Sequence, residues 1–116
     1  VGPKGLRARC LAPPGAVEEF AFGPETSVFK VSKKIFALSA LESRPLKVSL
    51  KADPELAADL RTSYEAIVGG YHLNKRHWIT VTCDGSVPDR LVEELIEDSY
   101  DLVVAGLSAR ARARLS

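Results

Sequence analysis

Two histidines, two cysteines and the adjacent glutamates Glu18 and Glu19 are the residues of this 116-residue chain weighed first for chemistry. Both histidines fall in the octapeptide Tyr71-His72-Leu73-Asn74-Lys75-Arg76-His77-Trp78, which also holds the single tryptophan. A metal centre would need further ligands, and no carboxylate lies inside that stretch. Cys10 and Cys83 stand far apart in no metal spacing and read as core-filling thiols of a reducing compartment. Glu18 and Glu19 are neighbours, so on an extended segment they point to opposite sides and cannot work as a catalytic pair. The sequence has no P-loop, no G-x-G-x-x-G and no H-E-x-x-H. Nothing in it links a Ser-His-Asp set either. The expectation is a non-catalytic protein with no cofactor and no metal ligands.

What the octapeptide offers instead is anion binding. Lys75 and Arg76 are cationic donors, His72, His77 and Asn74 add polar groups, and Tyr71 and Trp78 add rings. Asn tolerates positive φ, so Asn74-Lys75 predicts a two-residue hairpin turn. In that register Leu73 faces Arg76, His72 faces His77 and Tyr71 faces Trp78. A purely structural alternative is that Tyr71 and Trp78 pack one sheet face while Lys75 and Arg76 solvate the turn.

The elements that would position this stretch follow from patterning. Pro3 to Leu11 predicts a short helix, ended by Pro13-Pro14-Gly15, and Val17 to Phe22 an extended segment. Strands are predicted at Val28 to Val31, Ile35 to Leu41 and Leu46 to Lys51, with a turn at Ser32-Lys33-Lys34. The third of these alternates most cleanly, with Leu46, Val48 and Leu50 inward. Asp53-Pro54-Glu55 opens a helix as cap, first-turn proline and dipole partner, with Leu56, Leu60 and Tyr64 as its buried stripe. His77 to Cys83 is the return strand of the hairpin. Ser86 and Asp89 form a candidate capping box for a long helix that Gly106 ends, and a short helix is expected in the tail from Ser108. The order α-β-β-β-α-β-β-α predicts a two-layer α+β fold. Its antiparallel sheet has about five strands, helices cover one face, and residues 1–116 form a single domain. The other face is left free.

Composition fits a soluble globular chain, with 46% hydrophobic and 27% charged residues and a net charge of +1. No apolar run approaches the roughly 18 residues of a membrane span, and no signal peptide is recognisable. Charge is unevenly spread. Val28 to Lys51 holds six bases (Lys30, Lys33, Lys34, Arg44, Lys47, Lys51) against Glu42 alone, whereas Asp84 to Asp101 holds seven acids against Arg90. A dipolar domain of this kind would steer a polyanion to its sheet.

Several blocks also resemble the MmcQ/YjbR family over nearly the whole chain. They are Pro14-Gly15-Ala16-Val17-Glu18-Glu19, Phe22-Gly23-Pro24, Val28-Phe29-Lys30-Val31, Lys34-Ile35-Phe36-Ala37 and Ser49-Leu50-Lys51-Ala52-Asp53-Pro54-Glu55. Gly70 to Trp78 and Asp98-Ser99-Tyr100-Asp101-Leu102-Val103 are the most specific. The resemblance implies a small cytoplasmic bacterial protein, described as DNA-binding through a double-wing arrangement. On this reading Lys33, Lys34, Lys75 and Arg76 contact phosphates from two turns. Lys30, Lys47 and Lys51 extend the patch, and Tyr71, His72, Asn74, His77 and Trp78 complete the second turn. The alternative is a protein-interaction or chaperone-like module that uses its open sheet face. The expected state is a monomer or homodimer with no membrane association.

Overall fold

The strand with the cleanest alternation stands near the middle of the sheet. In the computed structural model, which describes residues 1–70 and 73–115, it runs Lys47–Lys51 with Val48 and Leu50 fully buried and Lys47 exposed. Around it the chain forms α1 (Pro3–Leu11), β1 (Val17–Glu19), β2 (Ser27–Val31), β3 (Lys34–Ser39), β4 (Lys47–Lys51) and α2 (Pro54–Ser63). It continues through β5 (Ile67–Gly69), β6 (Trp78–Thr82), α3 (Asp89–Ala105) and α4 (Ala109–Ala113). The strands make one antiparallel sheet of order β1-β2-β3-β4-β6-β5. The α+β order expected from the sequence is present. Among the described residues there are six strands rather than about five, because the extended segment after α1 pairs with β2 as an edge strand.

Leu6 and Cys10 of α1, Ala57 and Leu60 of α2, and Val92, Leu95, Ile96 and Val103 of α3 share one core. They pack with Phe29, Ala37, Val48, Leu50, Ile67, Ile79 and Val81 from the sheet, so these helices cover a single face. No helix among the described residues is long and apolar enough to cross a membrane.

Local signals succeed where the backbone itself demands a partner. Asp53 accepts from the Glu55 and Leu56 amides and caps α2. Two side-chain expectations fail. The buried stripe of α2 is Ala57 and Leu60, while Leu56 is exposed and Tyr64 lies past the last turn. Ser86 does not cap α3; its amide and hydroxyl both donate to Asp84, which folds the loop as a local Asx turn.

The decisive irregularity sits in β3. Phe29 pairs with Ala37 but Lys30 pairs with Ile35, so Phe36 is a surplus residue, and it and Ala37 are both fully buried. The Phe36 ring meets Tyr100 of α3 edge-on, with centroids 5.4 Å apart. Its carbonyl accepts the Ser99 hydroxyl, and the Ser99 oxygen in turn accepts the Lys51 amide at 2.9 Å. One fully buried hydroxyl therefore ties α3 to both β3 and β4. Ser99→Ala strands a buried N–H and a buried C=O, so it is expected to lower unfolding free energy by about 1–3 kcal/mol. Urea denaturation at constant m-value would measure this; an unchanged midpoint would mean that the bulge closes without the serine.

Candidate nucleic-acid interface

Strand register places the two basic turns at the same end of the sheet. β4 ends with Lys51 opposite Trp78, the first residue of β6. β3 runs antiparallel to β4 and starts at Lys34, so the β2–β3 turn lies at that end too. The first turn joins the second and third strands of the sheet and the second turn joins the fifth and sixth. Three strand spacings of about 4.8 Å therefore put their midpoints roughly 14 Å apart, close to the roughly 12 Å width of a DNA major groove.

The first turn is the residue pair Ser32-Lys33, between the partners Val31 and Lys34. Both residues have positive φ, 47° and 68°, as a tight hairpin with right-handed twist requires. Glycine or asparagine would adopt these angles more cheaply, by about 1–2 kcal/mol for a glycine. A lysine is kept there and is exposed, as is Lys34.

The second turn differs from the expected two-residue hairpin. Gly70 donates to the Trp78 carbonyl at 2.9 Å, and Asn74 starts a single helical turn. The Asn74 side chain accepts from the Arg76 and His77 amides, and its carbonyl accepts from those of His77 and Trp78. The Asn74 side chain satisfies more amides as a cap than at the tip of a two-residue turn, so Leu73 does not face Arg76. Tyr71 and His72, with the pairings expected for them, lie outside the described residues. Arg61 of α2 anchors the loop through the Lys75 carbonyl at 3.2 Å. A Cβ at Gly70 would lie 2.7 Å from that of Trp78, so glycine is required for this approach.

Asn74, Lys75, Arg76 and His77 are exposed, and Trp78 is half-buried on the open face beside Lys51. Among the described residues, Lys33, Lys34, Lys47, Lys51, Lys75 and Arg76 have no carboxylate within ion-pair distance. Lys30 differs: its ammonium is 3.0 Å from Glu19 on the neighbouring strand. Lys47 stands at the far end of β4, away from both turns. The structure thus gathers Lys33, Lys34, Lys51, Lys75 and Arg76 at one end, where Lys30 also lies but is engaged by Glu19, and leaves Lys47 at the other.

Sequence reading missed the groove on the open face, about 790 Å³ in volume. Its lining includes Leu38, Ser49, Thr80 and Val68, with Phe22, Leu73, Lys47 and Lys75 around them. Ser49 and Thr80 hydroxyls bond at 2.8 Å across β4 and β6. Val28 is fully buried yet absent from the helix-side core, and it pairs with Leu38 on this second face. The signal was the pairing of Leu38 and Val28 with an exposed Phe22, but only the folded loop brings them together.

The opposite layer is electronegative. The Asp98 carboxyl is pushed above its ordinary range by partial burial and by the like charges of Asp101, Glu94 and Glu97.

The thiols are poor nucleophiles. Burial, reinforced by Glu18, pushes Cys10 up to about 12, and burial also raises Cys83. The folded state therefore keeps the Cys10 proton while an unfolded thiol ionises near 9.0. This stabilising contribution is complete below the unfolded value and is lost as pH climbs towards the folded one. Thermal stability is expected to fall from pH 9 to 11, and a Cys10→Ala variant to lose less over that interval. Parallel pH curves for the two proteins would remove Cys10 from the explanation.

Residues 11–102 match the YjbR family, and the chain belongs to it. It is 39% identical over 107 residues to the uncharacterised protein YjbR of Escherichia coli strain K12, spanning 91% of this chain and 90% of that protein. It is 43% identical over 95 residues to the uncharacterised protein YbdF of Escherichia coli O157:H7, spanning 81% and 77%. The crystal structure of Deinococcus radiodurans protein DR2400 superposes with a TM-score of 0.92 at 42% identity, covering 98% of this chain and 87% of that one. A crystal structure of a Pseudomonas syringae protein matches at a TM-score of 0.64 and 33% identity, covering 75% and 86%.

Proposed function

We propose that the protein is a non-catalytic, cytoplasmic DNA-binding protein that holds the phosphate backbone with its two basic turns, used as a pair of wings. The observation that carries this reading is the placement of Lys33 and Lys34 at the same end of the sheet as Lys75 and Arg76, all exposed and without carboxylate partners among the described residues. The acids of α3 occupy the other layer, so a polyanion is repelled from the back and drawn to this end. A lysine at positive φ supports the same reading, because local strain retained against a cheaper glycine is expected where a side chain is needed. Contacts to phosphate position a protein without reading bases, so the binding is weak and tolerant of sequence.

Affinity for a short duplex, measured against salt, tests this. Four phosphate contacts give a log–log slope of about −3.6, and replacing Lys75 and Arg76 together by Ala reduces it by about two. Thermal stability of that double variant should stay within about 0.5 kcal/mol of the parent, as for exposed charges in general. Lys33→Gly should instead raise stability by about 1 kcal/mol while removing about one unit of slope. A flat slope, or no binding at low salt, overturns the proposal.

A further inference from the structure

The groove on the open face has a character that the wings alone do not explain. Among the described residues its lining contains two lysines and no carboxylate. Three other depressions each carry acids: Asp53, Asp98 and Asp101 in one, Asp89 and Glu93 in another, Glu65 and Asp84 in the third. Lys75 belongs both to the second wing and to the groove, so the two surfaces are continuous. A Cβ at Gly69 would fall 3.0 Å from the Lys75 Cβ and Cγ, which shows that the lysine stem lies across β5 at the groove's edge. Apolar surface is presented without cover: Phe22 is 65% exposed and Val68 51%.

We infer that this groove takes the unstacked bases of single-stranded DNA, whose phosphates run along Lys75 and Lys47. The inference rests on the DNA-binding reading above and names the form of DNA that the site would prefer. In a duplex each base face is covered by its neighbour, so only an unpaired strand can lay a base against Phe22 or Leu38. Sequence-tolerant binders of single strands combine an aromatic ring such as that of Phe22 with a cationic track. Hydroxyls of Ser49 and Thr80 lie on the floor, and the volume sits within the roughly 300–1,000 Å³ of small-ligand clefts, room for a few bases rather than a helix. An extended peptide is less well served, because strand addition needs a free sheet edge: the groove lies over β3, β4 and β6, which are paired on both sides, and reaches only the three-residue edge strand β5.

The test uses the full chain at low salt, titrated with a thymidine dodecamer and with a twelve-base-pair duplex. Trp78, the single tryptophan, shares a strand with Thr80 and reports by its fluorescence, with anisotropy of labelled DNA as an independent reading. The single strand is expected to bind at least tenfold more tightly than the duplex. Phe22→Ala, at an exposed position, should weaken single-strand binding roughly five- to hundredfold. Val68→Asp, which places an acid in the groove, should weaken it as well, whereas Phe22→Ala should leave duplex binding unchanged. Equal affinity for the two DNAs with both variants neutral overturns the groove assignment and leaves the wings standing. Binding of neither DNA overturns both readings. A dimer on size exclusion that Val68→Asp splits would assign the face to a second copy of the chain and overturn the inference.

Discussion

The arrangement of the open face depends on how the β2–β3 ladder accommodates one surplus residue. In strict alternation Phe36 and Ala37 would take opposite faces, and one of them would leave the core. The bulge turns both inward, and the Phe36 carbonyl is met by Ser99. Because the same hydroxyl accepts the Lys51 amide, α3 reads the position of β3 and β4 together. A slip of one residue between those strands would break one of the two bonds and move Leu38 out of register with Ser49. A buried polar group thus enforces register in a core whose apolar side chains are individually interchangeable. The positions of both turns follow from that register.

The parts of this fold that were legible in the sequence are those in which a short stretch settles its own hydrogen bonds or its own alternation. Val48 and Leu50 alternate with Lys47, Ser49 and Lys51, and Asp53-Pro54-Glu55 caps a helix whatever it packs against. The failures share a cause. Ser86 had two partners of similar strength, a helix end and Asp84, and the nearer one wins. Leu56 lost its place on the α2 stripe to the smaller Ala57, because which way the helix turns toward the sheet is set by tertiary packing and not by its own apolar spacing. The turn at Asn74 was misjudged because asparagine suits both positive φ and a cap, and only the Gly70–Trp78 pairing distinguishes them. Of the candidate site, the cations were legible one by one. Their convergence at one end, the engagement of Lys30 by Glu19, and the groove itself are properties of the sheet order.

Net charge conceals the organisation that matters here. A value of +1 is compatible with a nearly neutral surface, yet the cations sit on turns and the acids on α3. Some of those acids are balanced locally, since Arg9 meets Glu93 and Glu97, and Arg90 meets Glu94. Around Asp98, partial burial together with Asp101, Glu94 and Glu97 still pushes the carboxyl up. The cations of the two turns are likewise unbalanced among the described residues. Exposed charges left without partners contribute little to stability, so stability does not account for keeping them. The strained Ser32-Lys33 turn fits the proposed role of its lysine, because a departure from local preference is expected where function asks for a side chain.

A sheet with one uncovered face risks joining its own copies, and the edges decide how. Both edge strands, β1 and β5, have only three residues, which limits any added strand to a few backbone bonds. On β1 the Glu19–Lys30 pair adds charge beside that edge. The long strands, with their ladders already filled, lie at the centre under the groove. Whatever occupies this face is therefore held by side chains, through lysine charge, serine and threonine hydroxyls, the ring of Phe22 and the apolar surface of Leu38, rather than by extending the sheet. A ligand that carries its own charge and its own planar faces satisfies all three at once, which is why the short edges and the acid-free groove belong to one argument.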